Sequence, residues 1–98
     1  MIEICARYKD RAELKKAYLP FVQEGALFVP HTDPLKIHTP VSVSLTLPEK
    51  TEPITFTGKV ILLSSSSRTF NHPGVGIQFD QEYAETLRHQ IEDLVTGI

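Results

Sequence analysis

The sequence has few of the features that mark secreted, membrane-spanning and nucleic-acid-binding proteins. The single cysteine, Cys5, among 98 residues cannot form an internal disulfide. No apolar run approaches the roughly 18 residues that cross a membrane, and the N-terminus lacks the charged and apolar regions of a signal peptide. Ten basic residues stand against twelve acidic ones without a basic block, which disfavours binding to nucleic-acid phosphates. We therefore expect one soluble cytoplasmic domain over residues 1–98, with neither nucleic-acid binding nor direct membrane insertion.

The apolar periodicity predicts a mostly β domain with two helical pieces. Residues 2–8 alternate imperfectly, as in a short strand, and Asp10 then begins a short helix that Pro20 ends. Further strands are predicted over residues 26–29, 41–47, 54–63 and 75–79, with a bulge or a close backbone approach at Gly58. Asp80 is placed to cap a C-terminal helix with one apolar face. This order predicts a small antiparallel β-barrel or curled sheet, with a short helix after the first strand and a C-terminal helix.

No arrangement of residues points to catalysis or to a bound metal. The four histidines have no short spacing to an acidic or cysteine partner of the kind that zinc sites use, so solvated loop histidines are the simpler interpretation. Cys5 is interpreted as a small buried residue of a strand rather than as a nucleophile. The serine run at residues 64–67 is interpreted as a linker. We expect no enzyme activity, no metal and no cofactor.

The tract Tyr18-Leu19-Pro20-Phe21 concentrates aromatic and aliphatic side chains where a proline interrupts regular structure. Two interpretations stay open. The aromatic rings could staple the short helix to the sheet, as buried aromatic residues often do. Alternatively, the tract could form an exposed apolar patch that binds a partner, since aromatic residues dominate binding hot spots.

Three segments and the predicted final helix carry a family resemblance. The segments are residues 21–29 (FVQEGALFV), 56–60 (FTGKV) and 74–79 (GVGIQF). In order, spacing and total length they resemble the PilZ domain over nearly the whole chain. With residues 17–21 (AYLPF) ahead of them, the chain is similar to the stand-alone type of PilZ protein that acts in type IV pilus assembly.

PilZ domains are best known as receptors for the second messenger cyclic di-GMP, which they bind through an Arg-x-x-x-Arg arm and an Asp/Asn-x-Ser-x-x-Gly motif. On this sequence the three motif positions are Phe21, Gln23 and Ala26, so all three are lost. Arg7 and Arg11 have the spacing of the arm, but Arg7 ends the predicted first strand and Arg11 lies in the following helix. We therefore predict no useful cyclic di-GMP binding. A direct receptor that uses these two arginines is the alternative.

The resemblance implies an adaptor instead. Pilus-type PilZ proteins are required for pilus biogenesis and twitching motility, and they bind the PilB-type assembly ATPase. They also bind a FimX-like EAL-domain protein, which itself binds cyclic di-GMP. By position, Tyr18 and residues 91–98 correspond to regions associated in this family with ATPase binding. Leu19, Pro20 and Phe21 are added because they belong to the same apolar tract as Tyr18. The candidate partner-binding residues are Tyr18, Leu19, Pro20, Phe21, Ile91, Leu94, Val95 and Ile98.

Overall fold

The chain folds into one six-stranded sheet and two helices in a computed structural model that describes residues 2–31, 35–64 and 73–96. In chain order the elements are β1 (Ile2–Arg7), α1 (Arg11–Ala17), β2 (Tyr18–Leu19), β3 (Ala26–Pro30), β4 (Pro40–Thr46), β5 (Ile54–Ser64), β6 (Gly74–Phe79) and α2 (Gln81–Val95). The prediction of a mostly β fold with a short helix after the first strand and a C-terminal helix is confirmed. No helix within the described ranges is long and apolar enough to cross a membrane.

The strands lie in the order β1-β4-β5-β6-β3-β2, and the sheet is open, with β1 and β2 at its two ends. All neighbours are antiparallel except β1 and β4, which run parallel. The prediction of a wholly antiparallel sheet is therefore wrong for this pair. Parallel neighbours require a long crossover connection, and here α1, β2 and β3 lie between the two strands along the chain.

Helix α1 begins after the N-cap residue Asp10, whose carboxylate accepts a hydrogen bond from the Glu13 backbone N–H at 2.8 Å. It ends at Ala17, because Tyr18 adopts extended backbone angles. Tyr18 and Leu19 then form the short strand β2 along β3, which periodicity did not predict. Since proline disfavours the helical conformation in the residue before it, Pro20 favours this extended path.

The close backbone approach predicted at Gly58 is present, because a Cβ atom there would collide with the carbonyl oxygen of Gln78 on β6. The register shift of β5 lies further along, between Val60 and Leu62. Gly58 therefore allows β5 and β6 to pack closely, while the irregularity two residues later turns Leu62 outward, where it is 40% exposed.

The core lies between the sheet and α2. Phe56 and Phe79 meet edge to face in it, with ring centroids 5.3 Å apart. Helix α2 begins directly after Asp80, as predicted, although the Asp80 carboxylate accepts a hydrogen bond from the Thr57 hydroxyl rather than from the helix. The buried residues of α2 are Ala84, Leu87, Ile91, Leu94 and Val95. The apolar face of the C-terminal helix is thus part of the core.

The prediction that Cys5 is buried is wrong. Ile4 and Ala6 point into the core from β1, whereas Cys5 alternates with them and is exposed. The strand period of two fixes this outcome, because consecutive side chains of a strand point to opposite faces.

Candidate protein-binding site at the Phe21 turn

An exposed aromatic side chain projects from the connection between β2 and β3. Residues 19–25, which we call the Phe21 turn, contain two successive tight turns. The first is closed by the backbone N–H of Val22, which donates to the Leu19 carbonyl at 3.3 Å. Pro20 occupies the second position of this turn, where its fixed φ angle is favourable. Phe21 follows at the tip and is 83% exposed, more than any other large apolar side chain among the described residues.

Tyr18 lies just before the turn and is buried, with 7% of its surface exposed. Its hydroxyl donates a hydrogen bond to the Glu92 carboxylate of α2 at 2.6 Å, and Arg88 lies 3.9 Å from the same carboxylate. Burial and the neighbouring Glu92 raise the pKa of Tyr18 to about 12, so the hydroxyl is protonated and able to donate at neutral pH. The stapling interpretation therefore holds for Tyr18, while Phe21 is the exposed member of the tract.

The second half of the turn is fixed to β6. The Gln78 side-chain amide donates to the backbone carbonyl of Gln23 at 2.8 Å, and the Phe79 backbone N–H donates to the Gly25 carbonyl at 3.0 Å. Gly25 has a φ angle of +85°, and a Cβ there would lie 3.1 Å from the Phe79 ring. A glycine is required here both for its backbone conformation and for close packing. Together with the Tyr18 contact, these bonds hold the turn that carries Phe21.

The predicted partner-binding residues divide into exposed and buried groups. Pro20 and Phe21 are exposed, and Leu19 lies at the border of burial with 9% of its surface exposed. Three candidates on α2 pack in the core instead, namely Ile91, Leu94 and Val95. Ile98 lies outside the described residues. The exposed apolar surface near the turn is therefore smaller than the predicted set.

Sequence reasoning did not include Leu62 in the candidate surface. Leu62 and Leu19 both lie within 4 Å of the point where a Cβ on Gly76 would be, so the two leucines approach each other over this glycine. Leu62 is 40% exposed, so an exposed leucine of β5 lies beside Leu19 at the start of the Phe21 turn. The apolar run at residues 60–63 was the available signal, but only the register shift in β5 shows that Leu62 faces outward.

A comparison with protein-family models matches the PilZ domain over residues 2–97. The chain belongs to the PilZ domain family. PilZ domains are binding and adaptor domains connected with cyclic di-GMP, rather than enzymes. No curated protein matches the chain.

The three residues that the resemblance places at the nucleotide-motif positions have other roles in this PilZ domain. Phe21 points to solvent, and Gln23 contributes its backbone carbonyl to the bond from Gln78. Ala26 is fully buried in β3, where it pairs with Leu19 and Gln78. None of the three presents the short polar group or the open glycine that the motif supplies.

The two arginines with the spacing of the receptor arm lie on different elements, as predicted. Arg7 ends β1, and Arg11 begins α1. The Arg11 guanidinium makes two hydrogen bonds to the Glu49 carboxylate, at 2.5 and 2.9 Å. This pairing raises the pKa of Arg11 and lowers the pKa of Glu49. The Glu49 carboxylate therefore already accepts hydrogen bonds from the paired guanidinium N–H groups that would suit a phosphate.

The remaining candidate groups do not converge. His31 is half-buried, and His38 and His89 are exposed, while His72 and residues 65–67 of the serine run lie outside the described residues. Within the part of the chain that the structure describes, no three histidine, cysteine or acidic side chains are grouped as metal ligands. Among the described residues, the Phe21 turn is therefore the candidate functional site.

Proposed function

We propose that this PilZ domain is a non-catalytic adaptor of type IV pilus biogenesis and twitching motility. In this proposal it binds a PilB-type assembly ATPase through the Phe21 turn and also binds a FimX-like EAL-domain protein in the cytoplasm. The observation that carries the proposal is the 83% exposure of Phe21 at the position where a nucleotide receptor has an aspartate or asparagine.

The geometry of the turn supports binding to a protein surface. Removing a phenylalanine side chain from water contributes about 1.5–3 kcal/mol when a partner covers it. Pro20 restricts the backbone beside Phe21, and Tyr18 and Gln78 fix both ends of the turn. Because the turn is already ordered, a partner that covers Phe21 loses little of this energy to ordering the loop.

A direct cyclic di-GMP receptor is the alternative function, and the observed contacts disfavour it. A phosphate would have to displace Glu49 from Arg11, which already makes two charge-assisted hydrogen bonds to that carboxylate. A guanine base would meet the Phe21 ring where receptors supply a hydrogen-bonding side chain. An unpaired polar group of the base would cost about 1–3 kcal/mol if it were buried there.

The test uses the purified assembly ATPase and measures its affinity for wild-type protein, Phe21→Ser and a matched control, Ile37→Ser. Ile37 is also an exposed apolar residue, 43% exposed, in the connection between β3 and β4. We expect Phe21→Ser to weaken binding about tenfold or more, which corresponds to about 1.4 kcal/mol of lost burial. Ile37→Ser should bind as wild type does, and both variants should keep the wild-type melting temperature.

Two further measurements complete the test. The FimX-like EAL-domain protein is titrated against the same proteins, and cyclic di-GMP is titrated calorimetrically against wild type and Arg11→Met. Unchanged ATPase affinity in a folded Phe21→Ser would refute the role of the turn. Saturable nucleotide heat that Arg11→Met abolishes would instead establish the direct receptor.

A further inference from the structure

The end strand β1 has a free edge. It pairs with β4 on one side, in an unbroken register from Ile2 with Val41 to Arg7 with Thr46. On the other side, no backbone hydrogen bond joins it to another element among the described residues. An end strand of this kind presents a row of N–H and C=O groups that can pair with a further strand.

Strand β1 carries few of the devices that protect a sheet edge. Natural edge strands are protected by proline, by charged side chains and above all lysine, by bulges, by a covering element or by being very short. Residues 2–7 contain no proline and no lysine, and their pairing to β4 shows no register shift. The strand is six residues long, which is an ordinary strand length, and Ile2 at its start is 39% exposed. Its charged side chains are Glu3 and Arg7, so the edge is open to a strand of complementary charge.

The charged residues of β1 show which strand would fit this edge. Glu3, Cys5 and Arg7 lie on the solvent face of the strand, with opposite charges two residues to either side of the cysteine. Both backbone groups of a residue point to the same edge, and the direction alternates along the strand. When two identical strands pair in antiparallel orientation, facing residues must therefore be an even number of positions apart in the sequence. The two-fold axis then lies where one residue faces its own copy, not between two residues.

Only one such register pairs the two charges with each other. With the axis at Cys5, Glu3 of one copy lies opposite Arg7 of the other, and the symmetry repeats this pair on the other side. Ile4 then lies opposite Ala6 on the core face, where both are already buried in each chain. With the axis at Ile4, Glu3 would instead lie opposite Cys5. Opposite charges that face each other across two strands stabilise their pairing, whereas like charges destabilise it.

We propose that two copies of this chain associate through β1, antiparallel and about a two-fold axis at Cys5, to extend the sheet across both molecules. Charge complementarity at the free edge identifies a second copy as the partner. The interface is isologous, since the same residues serve both sides. It lies on β1 and does not include the Phe21 turn, so the inference is independent of the proposed adaptor function.

The first test measures the oligomeric state of the reduced 98-residue chain by sedimentation velocity, up to millimolar concentration. We expect a concentration-dependent dimer in the wild type. Glu3→Arg and Arg7→Glu should each weaken the dimer about tenfold or more, because each creates two like-charged pairs. The double variant Glu3→Arg/Arg7→Glu should restore the dimer, and high salt should weaken the wild-type dimer.

The second test uses Cys5 as a reporter of register. Facing residues of an antiparallel pair have Cα atoms about 4.5–5.5 Å apart, within the range that a disulfide spans. Diamide, an oxidant that accepts two electrons and two protons from a thiol pair, should therefore cross-link wild-type dimers through Cys5. The control variant Cys5→Ser/Thr55→Cys carries an exposed cysteine on the interior strand β5 and should cross-link far less.

Each outcome either supports or overturns the proposed dimer. A dimer that the single charge reversals disrupt and the double reversal restores, with cross-linking at Cys5, supports the proposal. A protein that is monomeric at every concentration overturns it. A dimer that is insensitive to both charge reversals, or that cross-links no better at Cys5 than in the control, uses another surface and also overturns it.

Discussion

Tyr18 connects the Phe21 turn to α2, and two substitutions at this residue separate the contribution of its ring from that of its hydroxyl. Tyr18→Phe keeps the buried ring and removes the 2.6 Å hydrogen bond to Glu92. The Glu92 side chain is 47% exposed, so water can replace the lost donor, and we expect a loss of about 0.5–1.5 kcal/mol in the free energy of unfolding. Tyr18→Ala also removes a ring that is only 7% exposed, and truncations of this size cost about 3–5 kcal/mol.

Thermal and urea unfolding measure both losses. In a domain of this length, 1 kcal/mol shifts the melting temperature by about 4–8 °C, so Tyr18→Phe should melt roughly 2–12 °C below the wild type. Tyr18→Ala should melt far lower, because its expected loss is a large fraction of the about 5–15 kcal/mol that stabilises a typical domain. If Tyr18→Ala melted as the wild type does, the Tyr18 ring would not be a core residue and the packing argument would be refuted.

The same pair of variants separates stability from partner binding. Tyr18→Phe should retain ATPase affinity within about threefold, since Phe21 rather than Tyr18 is the exposed aromatic residue and threefold corresponds to well under 1.4 kcal/mol. Weaker binding by Tyr18→Ala would be ambiguous, because unfolding alone would produce it. Loss of binding by a folded Tyr18→Phe would show that the hydroxyl is needed for binding, either in contact with the ATPase or through its bond to Glu92, against our expectation.

Three further outcomes follow from buried contacts. Gly58→Ala should lower the free energy of unfolding by about 1–3 kcal/mol in a urea titration, because its Cβ would meet the Gln78 carbonyl; an unchanged midpoint would mean that the strands separate at little cost. Tyr8→Phe should lower it by about 1–2 kcal/mol, since the buried hydroxyl donates to the Phe28 carbonyl at 2.6 Å; a wild-type melting curve would count against that bond. Burial raises the pKa of Tyr8, and burial with Glu92 nearby raises that of Tyr18 to about 12, so the folded protein holds these protons more tightly than the unfolded chain. The contribution of these tyrosines to stability should therefore be constant below about pH 9 and fall as the pH rises from about 10 through 12, and equal melting temperatures at about pH 8 and 11 would contradict this.

The elements that the sequence predicts well are those with one buried face. Alternation located β4, and the apolar stripe located α2, because in each case packing against the core imposes the period. Alternation does not indicate which strands are neighbours, so the parallel pairing of β1 with β4 could not be predicted from it. For Cys5, the alternation of β1 already placed the side chain with Glu3 and Arg7, and the general tendency of cysteine to be buried gave the wrong answer.

The candidate site was harder to predict, because its two aromatic residues are only three positions apart and have opposite environments. Tyr18 turns inward since β2 pairs with β3, and a two-residue strand leaves no periodic signal. Phe21 turns outward because it sits at the tip of a tight turn. Ile91 and Leu94 of α2 were predicted to bind a partner but are buried in the core. Their stripe predicted an apolar face, but only the packed structure shows that the core covers it.

The lost nucleotide motif is best understood from what each position now does for the fold. Phe21 lies on a turn fixed by proline, Gln23 supplies the carbonyl that holds this turn to β6, and Ala26 fills a fully buried place in β3. Replacing Ala26 with glycine would remove core contacts and destabilise the strand. Replacing Phe21 with a polar residue would remove the exposed aromatic side chain. Arg11 meanwhile pairs with Glu49, so we expect that no single substitution at these positions produces a receptor. In the proposed function, the residues at these positions disfavour the nucleotide and hold the Phe21 turn in a form that suits a protein partner.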